Sequence, residues 1–362
     1  MKIDLTKIDR EMFIIKEGNI GGKSVYLINP HDIKCKFTKE TMMLRSVMVD
    51  ELGNVISKAY CKFYNMGEQP DLYPHPEKFK DWVLSNKEDG SLMICDFING
   101  EFNVRTRGTI SYMSLDNSSD FDFVIGKYPI VEVTTKYSDY TILFEIYSPN
   151  NVIVLKPYSE PEIVFLGAYD KRDNTYHSFY SPLGKEIQSF VNCKVPEIYK
   201  MNGSVLDIAT VIQQWERKEG VVLNYNGDKN RVKMKSNWYL FRHALKSKLN
   251  SIDNLVDLYI ELGFPDYNTF FTNIEITIDF ETANEFRGNI SKIVDAWKET
   301  QKIINHMKEF VKENDGLIRK DFALKVISAW GNTNRASFLF TLKDKGELTV
   351  DQKKKLIFQS IR

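Results

Sequence analysis

Short runs rich in β-branched and aromatic residues, broken by turn residues, occupy the first two-thirds of the chain. Such runs are typical of β-strands, and turn sequences such as Glu51-Leu52-Gly53-Asn54 separate them. Because they follow one another without long helices between them, we predict antiparallel pairing. The predicted strands are residues 24–28, 45–50, 55–57, 92–97, 102–106, 140–147, 151–155, 162–168, 220–225 and 231–235.

Helical patterns mark two shorter segments, residues 76–84 and 205–216, and the last third of the chain. After about Tyr239 apolar residues recur at helical spacing, and we interpret this stripe as core. Its members are Ile290, Ile293, Val294, Trp297, Ile304, Met307 and Val311. Thr349-Val350-Asp351-Gln352 has the form of a capping box that opens a last helix ending at Ile361. The pattern predicts an α+β domain over residues 1–241, followed by an all-helical C-terminal domain over residues 242–362.

Composition and charge exclude several classes of protein. The chain has 362 residues, 43% hydrophobic and 27% charged, which is enough for two domains with cores. Lys plus Arg and Asp plus Glu number 49 each, so a nucleic-acid partner would need a local basic groove. The four cysteines have neither zinc nor redox spacing, no apolar run approaches ~18 residues, and the N-terminus lacks a signal-peptide core. We expect a cytoplasmic protein.

The stretch Lys87-Glu88-Asp89-Gly90-Ser91 carries the most chemical information. A lysine placed before a strand can act as a nucleophile if its pKa, about 10.4 when free, is lowered, and neighbouring cations can lower it. An isolated Lys-x-Asp-Gly is better explained as an ordinary hairpin turn. The interpretation of Lys87 as a nucleophile therefore depends on the charged residues elsewhere in the chain.

Further charged residues stand on predicted strands. Glu145 and Glu219 have apolar neighbours, where an unpaired buried carboxylate is costly. Lys233 and Lys235 are two residues apart, so their side chains point to one face of a strand. Two ammonium groups on one face repel each other unless an anion such as a phosphate chain lies between them. A solvated strand face is the alternative, and it is the better interpretation if these two lysines are considered alone.

In this order the features resemble the covalent lysine nucleotidyltransferases, which include ATP-dependent ligases and messenger RNA capping enzymes. The resemblance is greatest to the phage RNA ligase 1 family of ATP-dependent RNA ligases, and it covers roughly residues 40–240. It implies a nucleotidyltransferase domain whose antiparallel sheets enclose the ATP site. The stretches that carry it are Arg45-Ser46-Val47-Met48, Lys62-Phe63-Tyr64-Asn65-Met66-Gly67-Glu68, Lys87 to Ser91, Arg105-Thr106-Arg107-Gly108-Thr109, Phe144-Glu145-Ile146-Tyr147-Ser148-Pro149-Asn150-Asn151, Glu219-Gly220 and Lys233-Met234-Lys235-Ser236-Asn237-Trp238-Tyr239.

The resemblance implies a three-step reaction. Lys87 attacks the α-phosphorus of ATP to give lysyl-AMP, AMP moves to the 5′-phosphate of an RNA, and a 3′-hydroxyl then displaces AMP. Lys233 and Lys235 would line the phosphates, lower the pKa of Lys87 and stabilise the transition state. The other implied contacts are Arg45 and Lys62 with the β- and γ-phosphates, Glu145 with the ribose, Asp89 and Glu219 with the hydration shell of Mg²⁺ (or Mn²⁺ in its place), and Arg107 with phosphates or the RNA end. Tyr239 would lie either near the cofactor or in the core.

Two features depart from the family pattern. Val152 stands where family members carry an arginine, and the C-terminal third matches far less well. The helical domain is expected to select the RNA, with nicked transfer RNA or single-stranded RNA as candidates in a repair role, and a phage-encoded protein would act in the host cytoplasm. The alternatives are a DNA ligase or capping-type enzyme, and a non-catalytic nucleic-acid-binding protein with a decayed site. The helical pattern after Lys235, in place of an OB-fold, argues against the first, and the full set of charged groups argues against the second.

Overall fold

A computed structural model describes residues 2–31, 34–149, 153–155, 159–249, 251–278, 283–284, 286–331 and 334–361. Contacts between residues divide the chain into two compact units, Met1–Phe241 and Arg242–Arg362. The first unit contains the sheets, and the second is helical in its described residues. None of the helices in the described part of the chain is both long and apolar enough to cross a membrane.

The first sheet is an antiparallel meander near the N-terminus, in which each strand pairs with the next. Both of its faces pack on apolar clusters, one that includes Phe13, Ile28 and Val47 and another that includes Val25, Leu27 and Met48. Its strands are β1 (Phe13–Ile20), β2 (Lys23–Pro30), β3 (Val47–Asp50) and β4 (Val55–Lys58). The segments predicted as strands at residues 24–28 and 55–57 are confirmed, and the one at 45–50 begins later, at Val47.

The second and third sheets carry the candidate chemistry. The second is antiparallel, in the order β11 (Tyr176–Ser178), β10 (Glu162–Asp170), β9 (Tyr140–Tyr147), β7 (Ser91–Ile98) and β8 (Glu101–Arg105). The third has the order β12 (Ile198–Tyr199), β6 (Val83–Asn86), β13 (Gly220–Tyr225), β14 (Asn230–Lys235) and β5 (Tyr64–Asn65). Only the short pairing of β5 with β14 is parallel among the described ladders, so the prediction of antiparallel sheets is confirmed with that exception.

Helices cover one face of each of these two sheets. The helices α1 (Ser118–Lys127), α2 (Ile130–Lys136) and α3 (Pro182–Val191) pack on the second sheet through a cluster that includes Phe121, Val133 and Ile187. The helix α4 (Val205–Gln213) packs on the third sheet through Ile208 and Ile212. The helix predicted at 205–216 is confirmed at its start, where Ser204 and Asp207 make a complete capping box, but it ends earlier, at Gln213.

The second unit contains two buried apolar clusters along one long helix. Its helices are α6 (Ile252–Glu261), α7 (Tyr267–Ile278), α8 (Arg287–Glu313), α9 (Arg319–Trp330), α10 (Asn334–Lys345) and α11 (Val350–Ile361), and α5 (Asn237–Leu249) precedes them. The predicted stripe lies on α8, where Ile290, Ile293 and Met307 are fully buried. Thr349 and Gln352 exchange the two hydrogen bonds of the predicted capping box.

Two predicted elements are wrong. Residues 76–84 form a single 3-10 turn, Pro76–Lys78, followed by strand β6, because Leu84 pairs across to β13 and is buried in that sheet's core. In the segment 151–155 predicted as a strand, Asn151 and Val152 lie outside the described residues, as does Asn150. Residues 153–155 make bends rather than a strand, because their backbone turns toward a carboxylate.

Candidate active site

The backbone of β13 holds Lys87 in place. The Lys87 N–H donates to the Gly220 carbonyl at 2.9 Å, and the Ser236 N–H donates to the Glu219 carbonyl at 2.9 Å. Gly220 has a φ of +142°, and a Cβ there would lie 2.0 Å from the Met234 carbonyl oxygen, so this close approach requires glycine. These two bonds bring Lys87, which follows β6, and Lys235, the last residue of β14, close to Glu219.

Glu219 bridges two lysines. Its Oε1 lies 2.8 Å from the Nζ of Lys87 and 2.8 Å from the Nζ of Lys235. The carboxylate is 2% exposed, and its other oxygen, Oε2, is buried with no hydrogen-bond partner in the described structure. A buried ion pair needs its remaining lone pairs satisfied to offset desolvation, so the free Oε2 is available to a ligand.

The expected lowering of the pKa of Lys87 is wrong. Burial alone would lower that pKa, but attraction to Glu219 and then to Glu145 outweighs burial, and the pKa of Lys87 is raised. The group whose pKa falls is Lys233: burial first, and then repulsion by Lys235 and Lys62, lowers the pKa of Lys233 to about 8. Cationic crowding is therefore present, but Lys87 is shielded from it by its carboxylate partners.

Glu145 faces the same amine from the second sheet. Its Oε1 accepts a hydrogen bond from the Gly90 N–H at 3.1 Å. A Cβ on Gly90 would lie 2.5 Å from the Ile146 carbonyl oxygen, so glycine allows the loop to approach β9. Burial, opposed in part by Lys87, raises the pKa of Glu145 to about 8.

Asp89 has a different environment from the one predicted. Its carboxylate accepts hydrogen bonds from the Tyr239 hydroxyl at 2.6 Å and from the N–H groups of Val154 and Leu155 at 2.9 and 2.7 Å. Both oxygens are therefore engaged by the protein, and Asp89 anchors the loop that follows β9. Among the residues that the structure describes, no three histidine, cysteine, aspartate or glutamate side chains form a metal cluster. Glu219 therefore offers a metal an oxygen without a partner, whereas Asp89 already accepts three hydrogen bonds from the protein, and its contact with the hydration shell of a metal stays a prediction.

The remaining cationic side chains line two adjoining cavities. A cavity of about 560 Å³ lies between the second and third sheets, and Lys87, Glu145, Arg45 and Arg107 line it. A second, of about 420 Å³, shares Arg45 and Arg107 and adds Lys62. Burial, followed by repulsion from Arg107, lowers the pKa of Arg45 to about 10. Burial and the charge of Arg45 also lower the pKa of Lys62. This crowding of cations favours binding of a polyanion.

The chain is similar to proteins named as RNA ligases. It is 26% identical over 230 residues to a protein of Thermovibrio ammonificans named "Putative RNA ligase", covering 61% of this chain and 58% of that protein. It is 24% identical over 246 residues to a protein of the Autographa californica nuclear polyhedrosis virus named "Putative bifunctional polynucleotide kinase/RNA ligase", covering 62% of this chain and 34% of that one. The chain thus spans just over half of one relative and about a third of the other.

No protein-family model matches the chain. Among solved structures, an archaeal ATP-dependent RNA ligase is 11% identical with a TM-score of 0.45, covering 78% of this chain and 72% of that structure.

The candidate residues fall into three groups. Lys87 and Lys235 both contact Glu219, and Glu145, Arg45 and Arg107 line the cavity that contains Lys87. Lys62 and Lys233 belong to the surrounding positive field. Asp89 and Tyr239 form a hydrogen-bonded pair beside the site, where the Tyr239 ring lies 4.6 Å from the Nζ of Lys235, and a metal contact of Asp89 and a cofactor contact of Tyr239 stay predictions.

Residues at the far end of the larger cavity were missed from the sequence. Asn224 and Arg231 line it together with Tyr60. The sequence did contain one signal for Arg231. This residue lies two residues before Lys233 and four before Lys235, so on a strand all three side chains point to the same face. Asn224 lies directly opposite Arg231 in the paired strand, a relation that the sequence alone does not reveal.

Proposed function

We propose that this chain is an ATP-dependent RNA ligase of the covalent lysine nucleotidyltransferase type, most like the phage RNA ligase 1 family. Lys87 would carry AMP. The observation that carries the proposal is the contact of Glu219 with both Lys87 and Lys235, beside a cavity that Arg45 and Arg107 line. The similarity to proteins named as RNA ligases supports RNA as the acceptor.

In the first step the Lys87 amine attacks the α-phosphorus of ATP. A P–N bond forms, the bond from that phosphorus to the bridging oxygen breaks, and pyrophosphate leaves. The ammonium must first lose its proton, which solvent can take because the Lys87 side chain is 21% exposed. Lys235 and Lys233 would offset the charge on the phosphates, and Arg45 and Lys62 would hold the two that leave.

A divalent metal fits this proposal at one of the two predicted carboxylates. Mg²⁺ is held in proteins by one or two carboxylates together with substrate phosphates, and the unpartnered Oε2 of Glu219 meets that need. Bound there, Mg²⁺ or Mn²⁺ would offset negative charge on the triphosphate. Asp89, whose oxygens accept three hydrogen bonds from the protein, would act only through a water molecule of the hydration shell of the metal.

In the second step the 5′-phosphate of an RNA attacks the phosphorus of lysyl-AMP, the P–N bond breaks, and the Lys87 amine is released. In the third a 3′-hydroxyl attacks the activated phosphate, a phosphodiester forms, and AMP leaves. Arg107, at the junction of the two cavities, is suited to an RNA phosphate. All the groups assigned here belong to the first unit, so we assign the choice of RNA to the helical unit, Arg242–Arg362.

The test uses ATP labelled on its α-phosphate. The protein should retain acid-stable label in the presence of Mg²⁺ and lose it to a 5′-phosphorylated RNA that carries a 3′-hydroxyl, with joined product following. Lys87→Ala should abolish the label, whereas Lys185→Ala, an exposed lysine on α3, should leave it unchanged. Absence of label from any nucleotide would contradict the proposal. Label from GTP alone would indicate capping-type chemistry, and joining of DNA ends alone would indicate a DNA ligase.

A further inference from the structure

We propose that Asn224 and Arg231 form a base-reading pair that selects a 6-aminopurine. Asn224 would accept a hydrogen bond from the exocyclic amino group of the base, and Arg231 would donate one to the neighbouring ring nitrogen. This inference rests on the proposed function, because it assigns the nucleotide to the cavity that contains Lys87.

Strand alternation turns both side chains into the cavity. On β13, Val221, Leu223 and Tyr225 pack into the core beneath the sheet, so Val222 and Asn224 face the other way. On β14, Val232 and Met234 pack into the same core, which leaves Arg231 on the cavity face. Their backbones are directly opposite in the β13–β14 ladder, which places the two side chains next to each other.

Both side chains present a polar atom without a partner. Asn224 is 6% exposed, and its Oδ1 is buried with no hydrogen-bond partner. The Nη2 of Arg231 is likewise buried with no hydrogen-bond partner. An unpaired buried polar atom is costly, and structures rarely leave one without a ligand or water. An acceptor and a donor side by side in a cavity wall match a ligand edge with a donor and an acceptor.

The surroundings hold Arg231 in position and provide a surface for a flat ring. Its guanidinium stacks on the Tyr60 ring at 4.1 Å, and the Tyr60 hydroxyl donates to the Leu166 carbonyl at 3.0 Å. Stacking occupies the face of the guanidinium and leaves its edge free to donate. Leu166 and Phe179 add apolar walls. Small-molecule sites combine such apolar walls with a few polar groups that fix orientation.

The position suits a base rather than a phosphate. Four residues of strand, about 13 Å, separate Gly220, where Lys87 is held, from Asn224. A phosphate at Lys87 and a ribose at Glu145 would therefore place the base toward Asn224. Adenine presents an amino donor beside a ring-nitrogen acceptor, whereas hypoxanthine and guanine present an oxygen beside an N–H. If hypoxanthine or guanine bound in the same orientation, its oxygen would face the acceptor of Asn224 and its N–H would face the donor of Arg231.

The experiment compares ATP with inosine triphosphate, which replaces the 6-amino group by an oxygen. Equilibrium binding and covalent labelling are both measured on the full chain. The wild type should favour ATP by roughly tenfold to a hundredfold, the range expected when a buried hydrogen bond is replaced by a mismatch. Asn224→Leu should bring the two nucleotides within about threefold of each other through loss of ATP affinity. Asn224→Asp keeps an acceptor at this position and should retain the preference for ATP.

Asn103→Leu is the matched control. Asn103 is also a buried strand asparagine with an unpartnered atom, but it does not line the cavity, so the ratio of affinities should stay at the wild-type value. A wild-type ratio near one, or an unchanged ratio in Asn224→Leu, would overturn the base-reading pair. If Asn224→Leu fails to fold, Arg231→Met should lower the ratio, and an unchanged ratio there would overturn it equally. Normal discrimination in binding with no label on the protein would contradict only the covalent step.

Discussion

Glu219 sets the protonation of Lys87, and replacing it tests this most sharply. Glu219→Gln keeps an oxygen near both lysines and removes the negative charge. Burial of Lys87 and repulsion from Lys235 both favour the neutral amine, and attraction to Glu219 opposes them. The variant loses that attraction. We therefore expect the pKa of Lys87 to fall in the variant.

The magnitude follows from the geometry. Two unit charges 2.8 Å apart, as in the Lys87–Glu219 pair, interact by about 6 kcal/mol at an effective dielectric constant of about 20. At about 1.4 kcal/mol per unit this corresponds to about four pKa units at most. Lys235 shares the same oxygen and Lys87 is 21% exposed, so we expect a fall of about one to three units. Two ammonium groups without their counter-charge should also lower the free energy of unfolding by about 3 kcal/mol.

The assay measures the amine without any nucleotide. The protein is treated with a neutral amine-reactive reagent over a range of pH, and modification of the peptide that contains Lys87 is quantified by mass spectrometry. The midpoint should move to lower pH in Glu219→Gln. Glu216→Gln, an exposed carboxylate three residues earlier, is the control and should leave the midpoint unchanged. The reasoning is refuted if the midpoints of the wild type and Glu219→Gln coincide while both proteins are folded.

Three further predictions concern single sites. The pKa of Lys233 is about 8, and bound phosphates favour its charged form. Lys87→Ala removes one of the charges that lower this pKa, so ATP affinity measured with that variant should weaken above a midpoint somewhat higher than pH 8, by up to about tenfold per pH unit. This dependence should flatten on adding Lys233→Gln, and an unaltered pH profile would count against the assignment. Gly220→Ala should lower the free energy of unfolding, measured by urea titration, by about 1–3 kcal/mol. Gly126 in α1 has open space around it, so Gly126→Ala should leave that free energy unchanged or raise it by up to about 1 kcal/mol; equal effects of the two substitutions would contradict the steric argument. Tyr239→Phe should lower the free energy of unfolding by about 1–3 kcal/mol, because the buried carboxylate of Asp89 loses a 2.6 Å hydrogen bond. A stability equal to that of the wild type would show that the contact is dispensable.

Local periodicity predicted most elements of the fold, because each strand or helix buries one face. The stripe on α8 and the shared face of Lys233 and Lys235 follow from periods of 3.6 and two. The same reasoning failed at residues 76–84, where the spacing of apolar residues resembles a helix. There a long-range pairing with β13 determines the structure, and no local pattern contains it.

The site was predictable in its residue types and less so in its electrostatics. The sequence identifies Lys87, Glu219 and Lys235 as candidates, but only the fold brings one carboxylate oxygen within reach of both amines. That contact reverses the expected direction of the Lys87 pKa shift. Likewise the hydrogen-bond partners of Asp89 come from distant points in the chain, so the sequence does not predict them.

The location of the transferred nucleotide tests the central claim most directly. The full-length protein is incubated with ATP and Mg²⁺, digested under conditions that preserve phosphoramidates, and its peptides are sequenced by tandem mass spectrometry. The account predicts one adenylyl group, on the Nζ of Lys87. An adenylyl group on Lys233, Lys235 or any other side chain, with Lys87 unmodified, would contradict it.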